Sequence, residues 1–556
     1  MSNATESTCS ITGQRFSVSP SELEFCRSNS LPLPSQHPVE RLRQMLVFRN
    51  RSNLYQASCA FTGERMLSCI PPETGLVVYD VEVWESDRWD GTSYGRAYDF
   101  SRPFFQQFHE LMRAVPLPNL AVLKSTCENS EYTNGITSAK NCYLVFAASF
   151  IEDCMFSKFI NRCRSLFDCV LAFDCELCYG CQNISNCYNL RYSENCFTCS
   201  DSAFLKDCRS CSHCFQCVNL ANKRYCYQNR QLTQIEYERL MAEHDLGSAT
   251  IVQRSALQFE DHKKNFPVRY LVGRQHELST GNYLTNTKNC QNSFFINNGE
   301  DLEWSVWVDG AKSSFFFSMY GNGSELIYNS QSCGDRAYNL KFCLDCWPGP
   351  QDLEYCMFTG YGATHCFGCV GIKKKSYCIL NKQYSREEYL ALLPRIKEHL
   401  RSTGEYGLFF PQSFSPFSYN RSEVTEFFPL PRHQALQLGY AWNDEPALPL
   451  ESSFQLPEHI LEITEEVLTQ TLRCEATGKA YRIIPQELEF YRKQRIPLPR
   501  VSPFERLRTD ALFMEIALPN LARCSECSSE LTSSYSSAAH PQPGILCEHC
   551  FQNSIV

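Results

Sequence analysis

From Cys127 to Cys226 the chain keeps a small or apolar residue at nearly every third position. Where that phase is not cysteine it holds Ile136, Ala139, Val145, Ala148, Ile151, Ile160, Leu166, Ala172, Ile184, Leu190, Leu205 and Leu220. A flat strand buries every second residue and a helix every third or fourth, so neither gives this spacing. A narrow β-solenoid does, by sending one side chain inward on each short side and turning between. Twelve residues per coil is the preferred count, stacking Cys163, Cys175, Cys187, Cys199 and Cys211 as one row beside Ile136, Ala148, Ile160, Ala172 and Ile184. A nine-residue coil keeps the same phase. Coils of either size would bond to one another at about 4.8 Å.

A second segment, Cys290 to Cys378, carries eight more cysteines with a less regular phase. Cys333 to Cys343, Cys346 to Cys356 and Cys356 to Cys366 are each ten apart, which predicts bulges or loop insertions, with Trp347-Pro348-Gly349-Pro350 as a protrusion. The two segments share a repeat: CFQCVNLANKRYCYQN from Cys214 matches CFGCVGIKKKSYCILN from Cys366 at an offset of 152. Each copy ends in a capping-box pattern, Thr233 with Glu236 and Ser385 with Glu388, which predicts a helix closing each solenoid. A second repeat joins the chain ends. Residues 9–43 align without a gap on residues 474–508 at an offset of 465, sharing C-x-x-T-G, E-L-E-F, P-L-P and E-R-L-R.

Composition sets the context for these thiols. The chain has 556 residues, 33 of them cysteine, and a net charge of −9. No run of eighteen apolar residues predicts a membrane span, and MSNATESTCSITG does not read as a secretory leader. A cytoplasmic, reducing setting is therefore expected, where stable disulfides are rare. The acidic balance argues against indiscriminate coating of nucleic acid.

Metal chemistry concentrates at the C-terminus. Cys524-x-x-Cys527 and Cys547-x-x-Cys550, with nineteen residues between, have four-thiolate zinc spacing, and one structural zinc is expected there. His549 lies between the last two ligands and is expected to be an exposed spectator. Cys208, Cys211, Cys214 and Cys217 form a C-x-x-C-x-x-C-x-x-C run that invites an iron–sulfur reading. It lacks the three-residue gap and proline of the bacterial cluster run, and four successive inward positions account for it. Scattered zinc within the solenoids stays open as an alternative. Thioredoxin-like exchange lacks its βαβ context.

The end modules resemble the small probable zinc-ribbon domain of bacteria, with its pattern C-x-x-C-G-x-x-F, E-x-x-F-Y and C-P-x-C-R. On that resemblance the ligand positions fall at Cys9, Thr12, His37 and Glu40 in the first copy, and at Cys474, Thr477, Ser502 and Glu505 in the second. The ribbon after each shows the same contrast, with Cys59, Thr62, Asp80 and Val83 opposite the four C-terminal cysteines. Of four ribbon-like units, only the last keeps its ligands. The phrases SDRWDGTSYGRAYDFSRPFFQQF, NLANKRYCYQN and KKKSYCILNKQYSREEY are similar to those of a cysteine-rich protein family from candidate-phyla-radiation bacteria. That resemblance covers nearly the whole chain and brings no activity with it.

The expected fold is mainly β: two narrow cysteine-lined β-solenoid segments, each closed by an α-helix, flanked by duplicated zinc-ribbon-like modules at both ends. The boundaries are 1–86 for a degenerate ribbon pair, 87–125 connector, 126–230 first solenoid, and 231–280 helix and connector. Then follow 281–383 second solenoid, 384–404 helix, 405–470 a Pro- and aromatic-rich linker or wrapping arm, and 471–556 a ribbon pair.

Catalytic patterns are scarce. H-E-x-x-H, G-x-S-x-G, the P-loop and the dinucleotide fingerprint are all missing from the sequence. Asp80 and Glu82 beside Trp84 read as an exposed strand edge rather than a carboxylate pair. The leading expectation is a non-catalytic zinc-binding scaffold with a protein partner, which exposed aromatics at Phe315, Phe316 and Phe317 or at Trp84–Trp89 could contact. The first alternative is nucleic-acid or ribosome-associated binding through basic end modules. Its residues are Arg41, Arg43, Arg49 and Arg51 at one end and Arg492, Lys493, Arg495, Arg500, Arg506 and Arg508 at the other. The second is thiol-based metal storage or redox buffering, which predicts many metal atoms per chain instead of one.

Overall fold

The computed structural model describes residues 4–444, 454–535 and 543–555. Strand outweighs helix, 35% against 26%, and the strands build a β-solenoid. One sheet runs from Cys127–Glu128 to Arg230–Gln231 through twelve strands, parallel except at the final hairpin. Its register advances twelve residues per coil, pairing Ile136 with Ala148, Ile160 with Ala172, and Ile184 with Cys196. The nine-residue coil is thereby excluded.

Backbone dihedrals explain the period of three. From Ser138 through Asn141, Leu144 and Ala147 onward, every third residue has φ near +50°. A twelve-residue coil therefore has four left-handed corners and four short sides, and the residue after each corner points inward. Left-handed backbone costs a non-glycine residue about 1–2 kcal/mol, least for Asn and Asp, whose side chains bond locally. Those types recur at the corners and bridge one coil to the next. Asn141 Nδ2 donates to Asp153 Oδ1 at 3.0 Å, Asn183 to Asn195 at 2.8 Å, and Asn189 to Asp201 at 2.9 Å.

Cysteine suits the inward position because its S–H has a partner there. The Cys175 thiol donates to the Phe173 carbonyl at 3.2 Å and accepts from the Cys187 N–H, one coil on, at 3.4 Å. Ser157 does the same work, donating to the Met155 carbonyl at 2.9 Å and accepting from the Cys169 N–H at 3.1 Å. Small groups that satisfy a backbone carbonyl are what this narrow interior accommodates.

The other sheet begins at Gly273–Glu277, eight residues before the expected boundary at 281, and ends at Lys382–Gln383 after nine strands. Its coils pair Gly281 with Ser293, twelve apart, then Glu325 with Tyr338, Tyr338 with Gln351, and Gln351 with Thr364, thirteen apart. One added residue per coil accounts for the ten-residue cysteine intervals. The Trp347–Pro350 turn does not protrude. A Cβ on Gly360 would meet the Trp347 carbonyl oxygen at 2.0 Å, so this turn lies flat on the next coil.

Both predicted capping boxes form, opening the helices Gln234–Ala242 and Arg386–Ser402, and a further helix, Ala249–Lys263, fills the connector. The stretch after residue 405 is an arm: Phe409, Phe410, Tyr419 and Phe427 are all at most 1% exposed. Residues 445–453 of that expected segment lie outside the described residues, as do 536–542 of the C-terminal ribbon.

The repeated ends dock crosswise. Helices Pro20–Ser28 and Pro38–Leu46 sit on the second ladder, where Phe25 stacks on Tyr328 and the Arg41 guanidinium lies 3.4 Å from the Phe316 ring centre. Helices Pro485–Gln494 and Pro503–Ala511 sit on the first, where Phe490 stacks on Phe167 and Arg506 lies 4.9 Å from the Phe156 ring centre. Phe25 and Phe490, and Arg41 and Arg506, are equivalent positions of the 465-residue repeat.

Candidate metal centre

Cys524 opens a tight knuckle between the strands Asn520–Arg523 and Glu530–Ser533. Its N–H donates to the Ser529 carbonyl at 3.0 Å, and the Ser528 N–H returns to the Cys524 carbonyl at 2.9 Å. Cys547 is the N-cap of the helix Glu548–Ser554, and its N–H donates to Cys524 Sγ at 3.4 Å. Cys550 follows on that helix. The four sulfurs lie within 4.8 Å of one another, with Cys527 and Cys547 at 3.7 Å. Tetrahedral thiolates about 2.3 Å from a central ion have edges of about 3.8 Å, so this donor set fits a closed metal site. Burial raises the Cys524 thiol, but N–H groups of Cys527 and Cys547 outweigh it and bring it down to about 6. His549 stays exposed.

This centre holds more than its own strands. Ile545–Leu546 pairs in parallel with Val268–Arg269, Arg269 bridges to Glu548 at 2.5 Å, and Ser533 donates to the Tyr270 carbonyl at 2.8 Å. Residues 268–270 lead directly into the second ladder, so the centre fixes that entry.

The same knuckle occurs at three other cysteines. Gly13, Gly63 and Gly478 N–H groups return to the carbonyls of Cys9, Cys59 and Cys474 at 2.8–2.9 Å. Asp80 and Ser502 N–H groups donate to Cys59 and Cys474 Sγ at 3.3 Å, and the His37 N–H serves Cys9. His37, Asp80 and Ser502 are N-caps of helices, as Cys547 is. Threonine stands at the next ligand position each time, and Thr477 with the Ser502 N–H brings the Cys474 thiol to about 7 against the raising effect of burial. One thiol per knuckle cannot chelate. Among the described residues, the C-terminal four are the one group of three or more Cys, His, Asp or Glu side chains placed to share an ion. Asp80 is thus not on a strand edge: it caps the helix Val81–Glu85 and pairs with Lys124 at 2.9 Å.

The ladder thiols have other employment. Cys208, Cys211, Cys214 and Cys217 occupy consecutive sides of the coil, each donating to the carbonyl two residues before it at 3.2–3.4 Å. Burial pushes Cys169 and Cys196 well above the ordinary thiol range, which keeps them protonated and poor nucleophiles.

The N-terminal basic run is largely consumed inside the fold, whereas most of the C-terminal run stays at the surface. Arg41 pairs with Glu22 at 2.6 Å, Arg49 with Asp345, Arg51 with Glu423 at 2.6 Å, and Arg506 with Asp168 at 3.0 Å; Arg41 and Arg51 are buried, and Arg49 and Arg506 nearly so. Arg43 pairs with Glu40 and Arg508 with Glu505, while Arg492 and Lys493 stay exposed. The aromatics expected at the surface are core instead. Phe316 and Phe317 are 0% exposed, Phe315 and Trp84 are buried, and Trp89 is half-buried. Phe317 faces the coil interior, and Phe315 and Phe316 lie under the docked N-terminal module, a long-range contact that local pattern does not show.

Fold and site together define a β-solenoid protein with a four-cysteine group able to hold a metal ion. No protein-family model matches the chain, and no curated protein matches it. No described helix is long and apolar enough to cross a membrane.

Proposed function

We propose that this chain is a non-catalytic scaffold built on two cysteine-lined β-solenoids, with one structural zinc held by Cys524, Cys527, Cys547 and Cys550. The observation that carries this reading is the division of the thiols: those inside the coils are bonded to backbone carbonyls, and a single convergent set remains. The knuckles at Cys9, Cys59 and Cys474 are read as duplicated ribbons that lost their metal and are held by packing on the ladders. Soft thiolates at two knuckles favour zinc, in a closed site that leaves no position for substrate. A rigid solenoid of this length presents regular faces suited to a partner protein. Nucleic-acid binding is the weaker reading, because Arg41, Arg51 and Arg506 are already paired internally, which leaves mainly Arg492, Lys493, Arg495 and Arg508 at the surface for it.

Elemental analysis of the full chain purified under reducing conditions tests this. About one zinc per chain is expected; several zinc or copper atoms would support thiol-based storage instead, and none would refute the zinc assignment.

A further inference from the structure

The two ladders face each other across a cleft of about 210 Å³. One wall carries Phe173, Ser185 and Phe197 on successive coils of the first ladder. The other carries Arg274, Thr285, Asn297 and Asp309 on successive coils of the second, so polar groups recur about every 4.8 Å along it. Backbone groups of both ladders are bonded coil to coil, which leaves recognition to side chains and excludes an added peptide strand.

Arg274 is the unusual member. Its guanidinium lies over the Phe197 ring, 4.2 Å from the centre, and its buried Nε has no hydrogen-bond partner. Among the described residues no carboxylate lies within ion-pairing distance of it. Burial, with Arg209 nearby, lowers its pKa from the ordinary guanidinium value, as befits a cation held without a counter-charge. The neighbouring Thr285 hydroxyl and Asn297 amide are half-buried and make no hydrogen bond among the described residues. At the far end Asp309 lies near Arg162, which is itself paired with Asp174, so among the described residues Arg274 is the cation of this cleft without a carboxylate partner.

We propose that this cleft binds a monosaccharide-sized, polyhydroxylated ligand carrying one anionic group, with the anion on Arg274 and hydroxyls on Thr285 and Asn297. A stacked guanidinium presents its edge to carboxylate or phosphate, and short hydroxyl and amide side chains match sugar hydroxyls. The proposal goes beyond the scaffold reading and does not depend on the zinc site.

Titration calorimetry on the full chain tests it with D-glucuronate, glucose 6-phosphate and glucose. At least one acidic sugar binds, about tenfold or more tighter than glucose, since a charge-assisted hydrogen bond is lost with the neutral sugar. Which acidic sugar binds tighter distinguishes carboxylate from phosphate. Arg274→Gln weakens that binding about tenfold or more. Asn297→Asp, which keeps the shape and adds a negative charge, weakens it comparably and carries the test if Arg274→Gln fails to fold. Absence of binding by both acidic sugars at millimolar concentration overturns the proposal. Equal binding of glucose, or affinity unchanged in Asn297→Asp, does so as well.

Discussion

Glu487 is the C-terminal counterpart of Glu22, and its surroundings make docking of its module pH-dependent. It is 1% exposed, on the helix Pro485–Gln494, with Arg506 at 3.6 Å. Arg506 also serves Asp168 at 3.0 Å, and Asp510 on the next helix feels the same negative charge. Burial is the largest influence and raises Glu487 to about 7; Arg506, the Ile484 N–H and the Tyr491 hydroxyl offset it in part, while Asp168 adds to it. Tyr179, Tyr481, Tyr143 and Lys158 also face this cluster. Between pH 4.5 and about 7 the folded chain keeps the Glu487 proton and the unfolded chain has released it. Docking therefore weakens as pH rises through that window. The interval corresponds to about 3 kcal/mol, or roughly a hundredfold in an opening equilibrium. Glu487→Gln mimics the uncharged acid, and its single carbonyl oxygen keeps one of the two accepted bonds, so it should recover much of that at pH 8 and nothing at pH 4.5. Hydrogen exchange of amides in Pro485–Gln494, wild type against variant at both pH values, reads the difference locally. An equal effect at both pH values, or a looser helix at pH 8, would refute the ionisation argument.

Three further outcomes follow from the same geometry. Cys547→Ser should abolish metal retention and speed exchange in Val268–Arg269 and Ile545–Leu546, which pair with each other, while ladder amides such as those of Ile184 and Cys196 stay protected. At Cys196, 0% exposed with its thiol 3.3 Å from the Glu194 carbonyl, serine should cost less than about 1.5 kcal/mol and leucine about 1–3 kcal/mol by overpacking. A metal count unchanged in both variants would place Cys196 in packing, and a lower count would place it in chelation. Asn189, at φ +49°, should tolerate glycine, whereas valine should destabilise by about 2 kcal/mol, measured as a fall in melting temperature.

The period of three was legible because every inward position of the first ladder obeys it, but it left coils of nine and twelve residues both open, and the register chose twelve. What escaped was the corner. Asn141, Asp153, Asn183, Asn189, Asn195 and Asp201 stand in one phase immediately before the inward residues, and asparagine tolerance of left-handed backbone was available as a signal. The convergence of the four C-terminal cysteines was legible from spacing alone, since two short knuckles are local. The roles of Arg41 and Arg506 were not. Both sit in E-R-L-R, which reads as an exposed helical face, and only the ladder across from each shows why a guanidinium is buried there. Long-range docking leaves no periodic trace.

That docking also bears on the proposal that the knuckles at Cys9 and Cys474 do without metal. A ribbon normally depends on its ion because it is too small to bury a sufficient core. Here Phe25 and Arg41, and Phe490 with Arg506, carry the end modules onto ladder aromatics, and each buried arginine has a carboxylate within 3.0 Å. The four-cysteine unit has a thinner attachment: Leu521 on its first strand is 88% exposed, and it meets the ladder entry through the two-residue pairing with Val268–Arg269, the Arg269–Glu548 bridge, the Ser533–Tyr270 bond and Arg269 against the Phe551 ring. On the proposed zinc reading, metal is kept where packing is thin and dispensed with where the solenoid supplies the core.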